Sequence, residues 1–282
     1  MGGVERADIA NSNTHYRFYP FEVFLERQRD VGFRKVDLFG ATPHVWIDAY
    51  EATDGKEIRK KIRNAGLETG VFIPEFSSMR YTLGSLGAAR EKTRDYLKRC
   101  FEFASGLGCD VLVIGANGFS LDREEDERGL QFEESLSCVC AMARAFGMKI
   151  ALENHFSDGT DMIRTIEDMR QCMSRQKEEN LFVAVDTASV YEAKETLGQW
   201  FDAFGDRVIY VCLSNTRFDG ARRYWGDGYL NLQELVDTLD GNGYRGAIGC
   251  DCMVREYLSA PWKADESTAR MLDWVLKRRE SK

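Results

Sequence analysis

The stretch Lys149-Ile150-Ala151-Leu152-Glu153 is a short apolar run that closes on an acid, and the same pattern recurs twice further along the chain. The other two runs are Ala184-Val185-Asp186 and Ile248-Gly249-Cys250-Asp251. Burying an acid costs free energy unless the acid is paired or binds a cation. Three such acids can meet at one point if their strands are parallel and adjacent. The pattern therefore predicts a metal-centred site at one end of a parallel barrel.

Short β-rich runs alternate with longer amphipathic runs along the chain. Most of the β-rich runs are continuously apolar, as expected of strands that are covered on both faces. The predicted strands are Ala7–Asn11, Lys35–Phe39, Thr69–Pro74, Val111–Gly115, Lys149–Glu153, Phe182–Asp186, Val208–Leu213 and Ala247–Asp251. Several helical runs end in a glycine followed by a strand, which is typical of an αβ turn. Eight strands alternating with helices predict an α/β protein with a (β/α)8 TIM barrel.

The main competing fold is a doubly wound open sheet, which would show a glycine-rich phosphate turn after its first strand. Residues 9–13 contain no glycine, so the barrel is favoured. No Pro/Ser-rich linker or change of composition marks a boundary, and 282 residues suit a single barrel domain spanning residues 1–282. Thr160 or Asp161 is the predicted cap of the helix after the fifth strand.

The composition limits the classes of partner. The net charge of -8 argues against binding to a nucleic-acid backbone. No apolar run is long enough to span a bilayer, and the first six residues lack the apolar core of a signal peptide. The eight cysteines show no disulfide-like or zinc-finger spacing, which is typical of free thiols in a reducing compartment. We therefore expect a cytoplasmic protein with no membrane or nucleic-acid partner.

In a barrel, the carboxyl ends of the strands carry the chemistry. His155 follows the fifth-strand acid by two residues, so strand alternation turns it toward the same side as Glu153. Asn215 and Arg217 lie just past the seventh strand, where they could meet substrate oxygens or a phosphate. These three residues are predicted substrate contacts.

At its strand ends the chain resembles the xylose-isomerase-like TIM-barrel superfamily of sugar isomerases and epimerases, and within it the fructoselysine 3-epimerase and ketose 3-epimerase branch. The resemblance implies a small carbohydrate substrate, with His44 and Glu75 as contacts to its hydroxyls. The segments that carry it, in the family's order, are Asp37-Leu38-Phe39-Gly40-Ala41-Thr42-Pro43-His44, Phe72-Ile73-Pro74-Glu75, Ala151-Leu152-Glu153-Asn154-His155, Val185-Asp186, Trp225-Gly226-Asp227-Gly228 and the strand that ends at Asp251.

The family holds one divalent cation with a Glu, an Asp, a His and a second acid, and the first and last acids also move protons. Carried over, Glu153 is a ligand and the first base, and Asp186 is the second ligand. Asp251 replaces the final Glu as ligand and second acid/base, and Cys212 stands where the histidine should be. A thiolate favours zinc, whereas oxygen ligands favour manganese or magnesium. The resemblance thus implies a divalent cation and leaves Mn, Mg and Zn open.

The function implied by the resemblance is a metal-dependent isomerase or epimerase that abstracts a proton next to a carbonyl of a carbohydrate or sugar derivative. One alternative is a metal-dependent lyase that acts on an oxidised sugar, similar to C-glycoside deglycosidases. The other is a non-catalytic sugar-binding paralogue with an impaired metal site. The sequence leaves open whether the chain forms a homo-oligomer or is a subunit of a hetero-oligomer.

Overall fold

The computed structural model describes residues 3–48, 51–76, 80–155, 160–217 and 220–279. Eight parallel strands form a closed barrel in sequence order, and the first strand pairs with the last. The strands are β1 (Ile9–Ser12), β2 (Lys35–Gly40), β3 (Glu68–Pro74), β4 (Val111–Gly115), β5 (Lys149–Glu153), β6 (Leu181–Asp186), β7 (Val208–Leu213) and β8 (Ala247–Cys250). The predicted (β/α)8 TIM barrel is confirmed, and the open sheet is excluded.

Helices occupy the connections between strands and surround the barrel. Within the described ranges they are α1 (Phe21–Asp30), α2 (Gly55–Asn64), α3 (Gly87–Leu107), α4 (Glu125–Ala145), α5 (Ile166–Arg175), α6 (Thr187–Glu192), α7 (Leu197–Phe204), α8 (Leu232–Gly241) and α9 (Pro261–Arg279). Their apolar faces and the outer faces of the strands form one large buried core. None of the described helices combines the length and the apolar character needed to cross a membrane.

Two local predictions were wrong. The first strand begins at Ile9 rather than Ala7, because Arg6–Asp8 forms a 3-10 turn. The cap of α5 is Thr165 and not Thr160 or Asp161. Thr165 accepts a hydrogen bond from the backbone N–H of Asp168 at 3.2 Å, and the Asp168 carboxylate accepts one from the backbone N–H of Thr165 at 2.9 Å. This reciprocal pair satisfies two of the free donors at the helix N-terminus.

Alternation along the strands points the functional side chains into the barrel. An interior layer contains Ala151, Ala184 and Tyr210, which pack together on β5, β6 and β7. The residue two positions further along each of these strands points the same way, nearer the carboxyl end. These residues are Glu153, Asp186 and Cys212. Ala151 and Ala184 are small and lie below Glu153 and Asp186 in the barrel. The two carboxylates therefore face its open end.

Gly249 lets a polar pair cross the barrel interior beneath this site. Tyr210 donates a hydrogen bond to Oδ2 of Asp37 at 2.9 Å, and both residues are buried. A Cβ atom on Gly249 would lie 2.2 Å from that carboxylate oxygen and 2.2 Å from the Tyr210 hydroxyl. Only glycine therefore fits at this position of β8.

Candidate functional site

Glu153 ends β5 and is 5% exposed. Its Oε2 atom lies 2.9 Å from Nε2 of His155 and 3.3 Å from Nη2 of Arg222. Burial alone would raise the pKa of Glu153, but Arg222 and His155 outweigh burial and lower it to about 2. The carboxylate is therefore ionised at neutral pH. Its low pKa makes it a weak base, so proton removal depends on how well the site stabilises the anion that forms.

Asp186 ends β6 and is fully buried. Its Oδ1 atom accepts a hydrogen bond from the backbone N–H of Ser189 at 2.7 Å, which caps α6. Its Oδ2 atom accepts a hydrogen bond from the Ser214 hydroxyl at 2.5 Å and forms an ion pair with Nε of Arg222 at 3.1 Å. Asn154 fixes the backbone by accepting from the Asp186 N–H at 2.8 Å. Both carboxylate oxygens are thus engaged, so Asp186 anchors the site.

Asp251 follows the last residue of β8 and is 7% exposed. Thr14 donates a hydrogen bond to its Oδ1 atom, and Nη1 of Arg222 lies 3.3 Å from its Oδ2 atom. Cys212 on β7 pairs in register with Asp186 and is also buried. Burial, reinforced by the negative charge of Asp186, raises the pKa of the Cys212 thiol well above its usual range. The sulfur is therefore a neutral thiol.

Arg222, in the connection between β7 and α8, is the centre of this group. Each of its three guanidinium nitrogens faces a different carboxylate: Nε faces Asp186, Nη2 faces Glu153 and Nη1 faces Asp251. The carbonyl oxygen of Arg222 accepts a hydrogen bond from the backbone N–H of Met253 at 2.9 Å. Burial opposes its charge, but the carboxylates outweigh burial and raise the pKa of Arg222 well above its ordinary value. The guanidinium is a permanent cation among three acids.

The donor set only partly suits a metal ion. Glu153, Asp186 and Cys212 each offer a ligand atom, and these atoms lie within 4.8 Å of one another. Arg222 faces one oxygen each of Glu153, Asp186 and Asp251. A guanidinium between these acids competes with an ion for them, so the four predicted ligands do not fit a metal while Arg222 is in place.

An inner cavity of about 340 Å³ opens above these residues at the carboxyl end of the barrel. Glu153, Asp186, Cys212, Asp251 and His155 all line it. The structure thus brings together the predicted ligands and one predicted substrate contact. A cavity of this size, with charged and polar walls, can take a small polar molecule.

His44 and Glu75 line a second, outer cavity of about 840 Å³. The two cavities adjoin, because Thr14, Phe39 and Met253 line both. Nε2 of His44 donates to the carbonyl of Tyr19 at 2.8 Å, so Nδ1 accepts from the Asn13 side chain at 2.9 Å. Both ring nitrogens therefore have protein partners. Glu75 is half-buried, and burial raises its pKa.

Asn215 and Arg217 are not among the residues that line either cavity in the described part of the chain. The Asn215 side-chain oxygen accepts hydrogen bonds from the backbone N–H groups of Thr216 and Leu230, at 2.9 and 3.0 Å. Arg217 is about half exposed and pairs with Asp227. These two side chains organise the loop after β7.

Arg222, Asn117 and Glu192 also line the inner cavity, and none of them was assigned a role in the site from the sequence. The Oδ1 atom of Asn117 and the Oε1 atom of Glu192 are buried and have no hydrogen-bond partner within the described ranges. A cluster of three buried acids needs a positive charge nearby. This need was the signal that could have pointed to Arg222. Asn117 lies two residues past β4, a position that could have marked it.

Residues 25–278 match the family described as xylose isomerase-like TIM barrel, and the chain belongs to that family. Fructoselysine 3-epimerase of Escherichia coli O157:H7 is 21% identical over 245 residues, which cover 86% of this chain and 88% of that protein. Inosose dehydratase of Clostridium perfringens is 22% identical over 209 residues, covering 64% and 66% respectively. The structure of an L-ribulose 3-epimerase matches with a TM-score of 0.78 at 16% identity, covering 98% of this chain and 97% of that one. The predicted superfamily and branch are thus confirmed as the relatives of this chain.

Proposed function

We propose that this member of the family is a carbohydrate isomerase or epimerase that removes a proton from the carbon next to a carbonyl, with Glu153 as the base. The observation that carries the proposal is the ionised Glu153 carboxylate on the wall of the inner cavity, beside His155 and a fixed cation. The sugar epimerases among the relatives support the reaction class. We also propose that one domain spanning residues 1–282 carries the site.

The chemistry follows from the positions of the charges. When Glu153 takes the proton, the electron pair of the C–H bond moves onto the carbonyl and makes an enediolate. Positive charge and N–H donors stabilise the oxygen anion of that intermediate. The guanidinium of Arg222, between Glu153 and Asp251, supplies both. Asp251, which follows β8, first takes up a proton from solvent and then donates it to a carbon of the enediolate, which gives the isomer or epimer. His155 can relay the proton that Glu153 receives.

We assign recognition of the substrate mainly to the inner cavity. Asn117 and Glu192 line the inner cavity, and sugar hydroxyls are suitable partners for their amide and carboxylate groups. Glu75, in the outer cavity, is a further hydroxyl contact. His44, with both ring nitrogens engaged, forms part of the outer wall. Asn215 and Arg217 act on the substrate only through the loop that they hold.

A bound Mn, Mg or Zn ion stays a prediction. Glu153, Asp186 and Cys212 could hold such an ion only after Arg222 withdraws, and Asp251 would then be the fourth ligand. None of the proton transfers proposed above depends on it.

A lyase is the second candidate, and the similarity to an inosose dehydratase favours it. In a lyase, Glu153 would remove the same proton. The electron pair would then expel a leaving group from the neighbouring carbon, and Asp251 would not return a proton. His155, which is within hydrogen-bond distance of Glu153, could protonate that leaving group. An oxidised sugar would be the substrate, as we expect for a deglycosidase-like reaction.

The test is solvent exchange. The protein is incubated in deuterium oxide with a panel of ketoses, keto-glycosides and inososes, and the products are followed by NMR and mass spectrometry. We expect deuterium at the carbon next to the carbonyl, with the carbon skeleton intact and the rate lowered about 100- to 10,000-fold in Glu153→Gln. Loss of water or of an aglycone would favour the lyase. Binding without exchange for any compound would favour the non-catalytic paralogue.

A further inference from the structure

We infer that Arg222 is the resident cation of this site and excludes a divalent metal ion, so that a side chain of the protein takes the place of a metal. The inference concerns the same site as the proposed function, but it rests on the contacts of Arg222 and not on the reaction. Its evidence is geometric and comes from the guanidinium, its backbone and the four surrounding side chains.

The guanidinium faces a carboxylate at each of its three nitrogens. A guanidinium presents its N–H groups from three nitrogens in one plane. Here Nε lies 3.1 Å from an Asp186 oxygen, while Nη1 and Nη2 lie 3.3 Å from oxygens of Asp251 and Glu153. The three carboxylates come from β5, from β6 and from just after β8, so they surround the guanidinium. A surface arginine that had turned inward by chance would not engage all three nitrogens.

The backbone holds Arg222 over the site. Residues 215 and 223 form a short antiparallel bridge, with hydrogen bonds of 2.8 and 3.2 Å in the two directions. The carbonyl oxygen of Arg222 accepts from Met253, which lies two residues past Asp251. The loop is thus hydrogen-bonded both to its own first residues and to the segment that follows Asp251. The side chain is 17% exposed, so solvent reaches only its edge.

The side chains around Arg222 offer few free ligand atoms to a metal ion. Cys212 is buried, so solvent does not reach its sulfur while Arg222 is in place. Asp251 is already engaged by the Thr14 hydroxyl. Asp186 has both oxygens occupied by backbone, hydroxyl and guanidinium donors. A metal would therefore have to displace Arg222 and break these contacts to obtain its ligands.

The experiment measures metal binding and involves no turnover. Chelator-stripped wild-type protein, Arg222→Ala and Arg222→Lys are titrated with Mn²⁺ by calorimetry and with Co²⁺ by absorption, which reports thiolate ligation. Arg217→Ala is the control, since that arginine lies in the same loop and pairs with Asp227 outside the site. We expect the wild type and the control to bind either ion about 100-fold more weakly than Arg222→Ala does. That factor corresponds to a metal-competent state populated about 1% of the time in the wild type.

Each outcome decides the inference. Tight Mn²⁺ or Co²⁺ binding to the wild type overturns it. Failure of both Arg222 variants to gain binding also overturns it, because the exclusion would then not be due to Arg222. If Arg222→Ala does not fold, Arg222→Lys decides in its place, since an ammonium can face the acids but cannot match all three. The solvent-exchange assay fails or succeeds independently, so the two proposals are separable.

Discussion

Nε of Arg222 lies 3.1 Å from Oδ2 of Asp186, a carboxylate that is fully buried at the end of β6. This contact joins a loop cation to the residue that also caps α6, so the electrostatics of the site and the local fold depend on one another. Without Arg222, the buried Asp186 carboxylate would have contacts only with neutral hydrogen-bond donors. The same guanidinium neutralises part of the charge on Glu153 and Asp251.

Arg222→Ala should therefore destabilise the protein strongly. Removing one partner of a buried ion pair leaves uncompensated charge and typically costs about 3–5 kcal/mol. Urea unfolding at neutral pH measures the change in the free energy of unfolding. Arg217→Ala removes a half-exposed arginine from the same loop and should cost about 1 kcal/mol or less. Equal losses in the two variants would contradict the central position of Arg222.

Glu192→Gln should affect substrate binding more than chemistry. Glu192 lines the inner cavity, so its carboxylate is available to accept a hydrogen bond from a substrate hydroxyl. The amide keeps the size of the side chain and can turn its N–H group toward that hydroxyl. We expect the KM for an exchanging carbohydrate to rise about 10-fold, which corresponds to roughly 1.4 kcal/mol, with kcat nearly unchanged. Steady-state kinetics on wild type and variant provide the check. A fall in kcat at constant KM would place Glu192 in the proton transfers instead.

Much of the fold was predictable because its signals are local. The apolar runs of β4, β5 and β7 were predicted at their observed bounds, and each is a continuous strand covered on both faces. The convergence of Glu153, Asp186 and Asp251 also followed from local information, since the carboxyl ends of parallel strands share one end of a barrel. The cap of α5 was missed although Thr165 and Asp168 have capping-box spacing in the sequence, because Thr160 and Asp161 are also residues that cap helices.

The centre of the site was not predictable in the same way. Arg222 is 69 residues from Glu153 and 29 residues from Asp251 in sequence, and it lies in a loop without a periodic pattern. The same limit applies to His44, whose two ring nitrogens are taken by Asn13 and Tyr19. A sequence shows which groups could bind a substrate, but it does not show which of them already have partners.

Asp265→Asn should destabilise the barrel although Asp265 is outside the cavity. Its buried carboxylate accepts hydrogen bonds from the side chains of Asn11, Tyr16 and Gln28, at 2.6 to 2.9 Å, and contacts His15 at 2.7 Å. An amide would turn an N–H group toward these donors and remove the negative charge. We expect a loss of about 3–5 kcal/mol in urea unfolding at neutral pH. Asp273→Asn on the same helix is the control, because Asp273 is about half exposed and its pair with Arg6 is long, at 3.5 Å.

Asp37 should make the stability of the protein depend on pH. Burial raises the pKa of Asp37 from 3.8 to about 7, against the hydrogen bonds from the Val71 backbone N–H and the Tyr210 hydroxyl, which lower it. Between these two values the folded protein holds a proton that the unfolded chain has released. The contribution of Asp37 is therefore most favourable below pH 4 and is lost as the pH rises toward 7. The full loss is about 4 kcal/mol, from roughly 1.36 kcal/mol for each pH unit.

Asp37→Asn removes this titration and keeps the geometry. The amide oxygen can accept from Val71, and the amide nitrogen can donate to the Tyr210 oxygen. The difference in the free energy of unfolding between variant and wild type should thus grow in favour of the variant from pH 4 to pH 7 and then level off. Urea unfolding across this range gives the curve. Asp265 is the internal contrast, because the pairing with His15 outweighs burial and lowers its pKa, so its contribution is lost as the pH falls. A difference between Asp37→Asn and wild type that stays constant with pH would show that the Asp37 carboxyl does not titrate in this window.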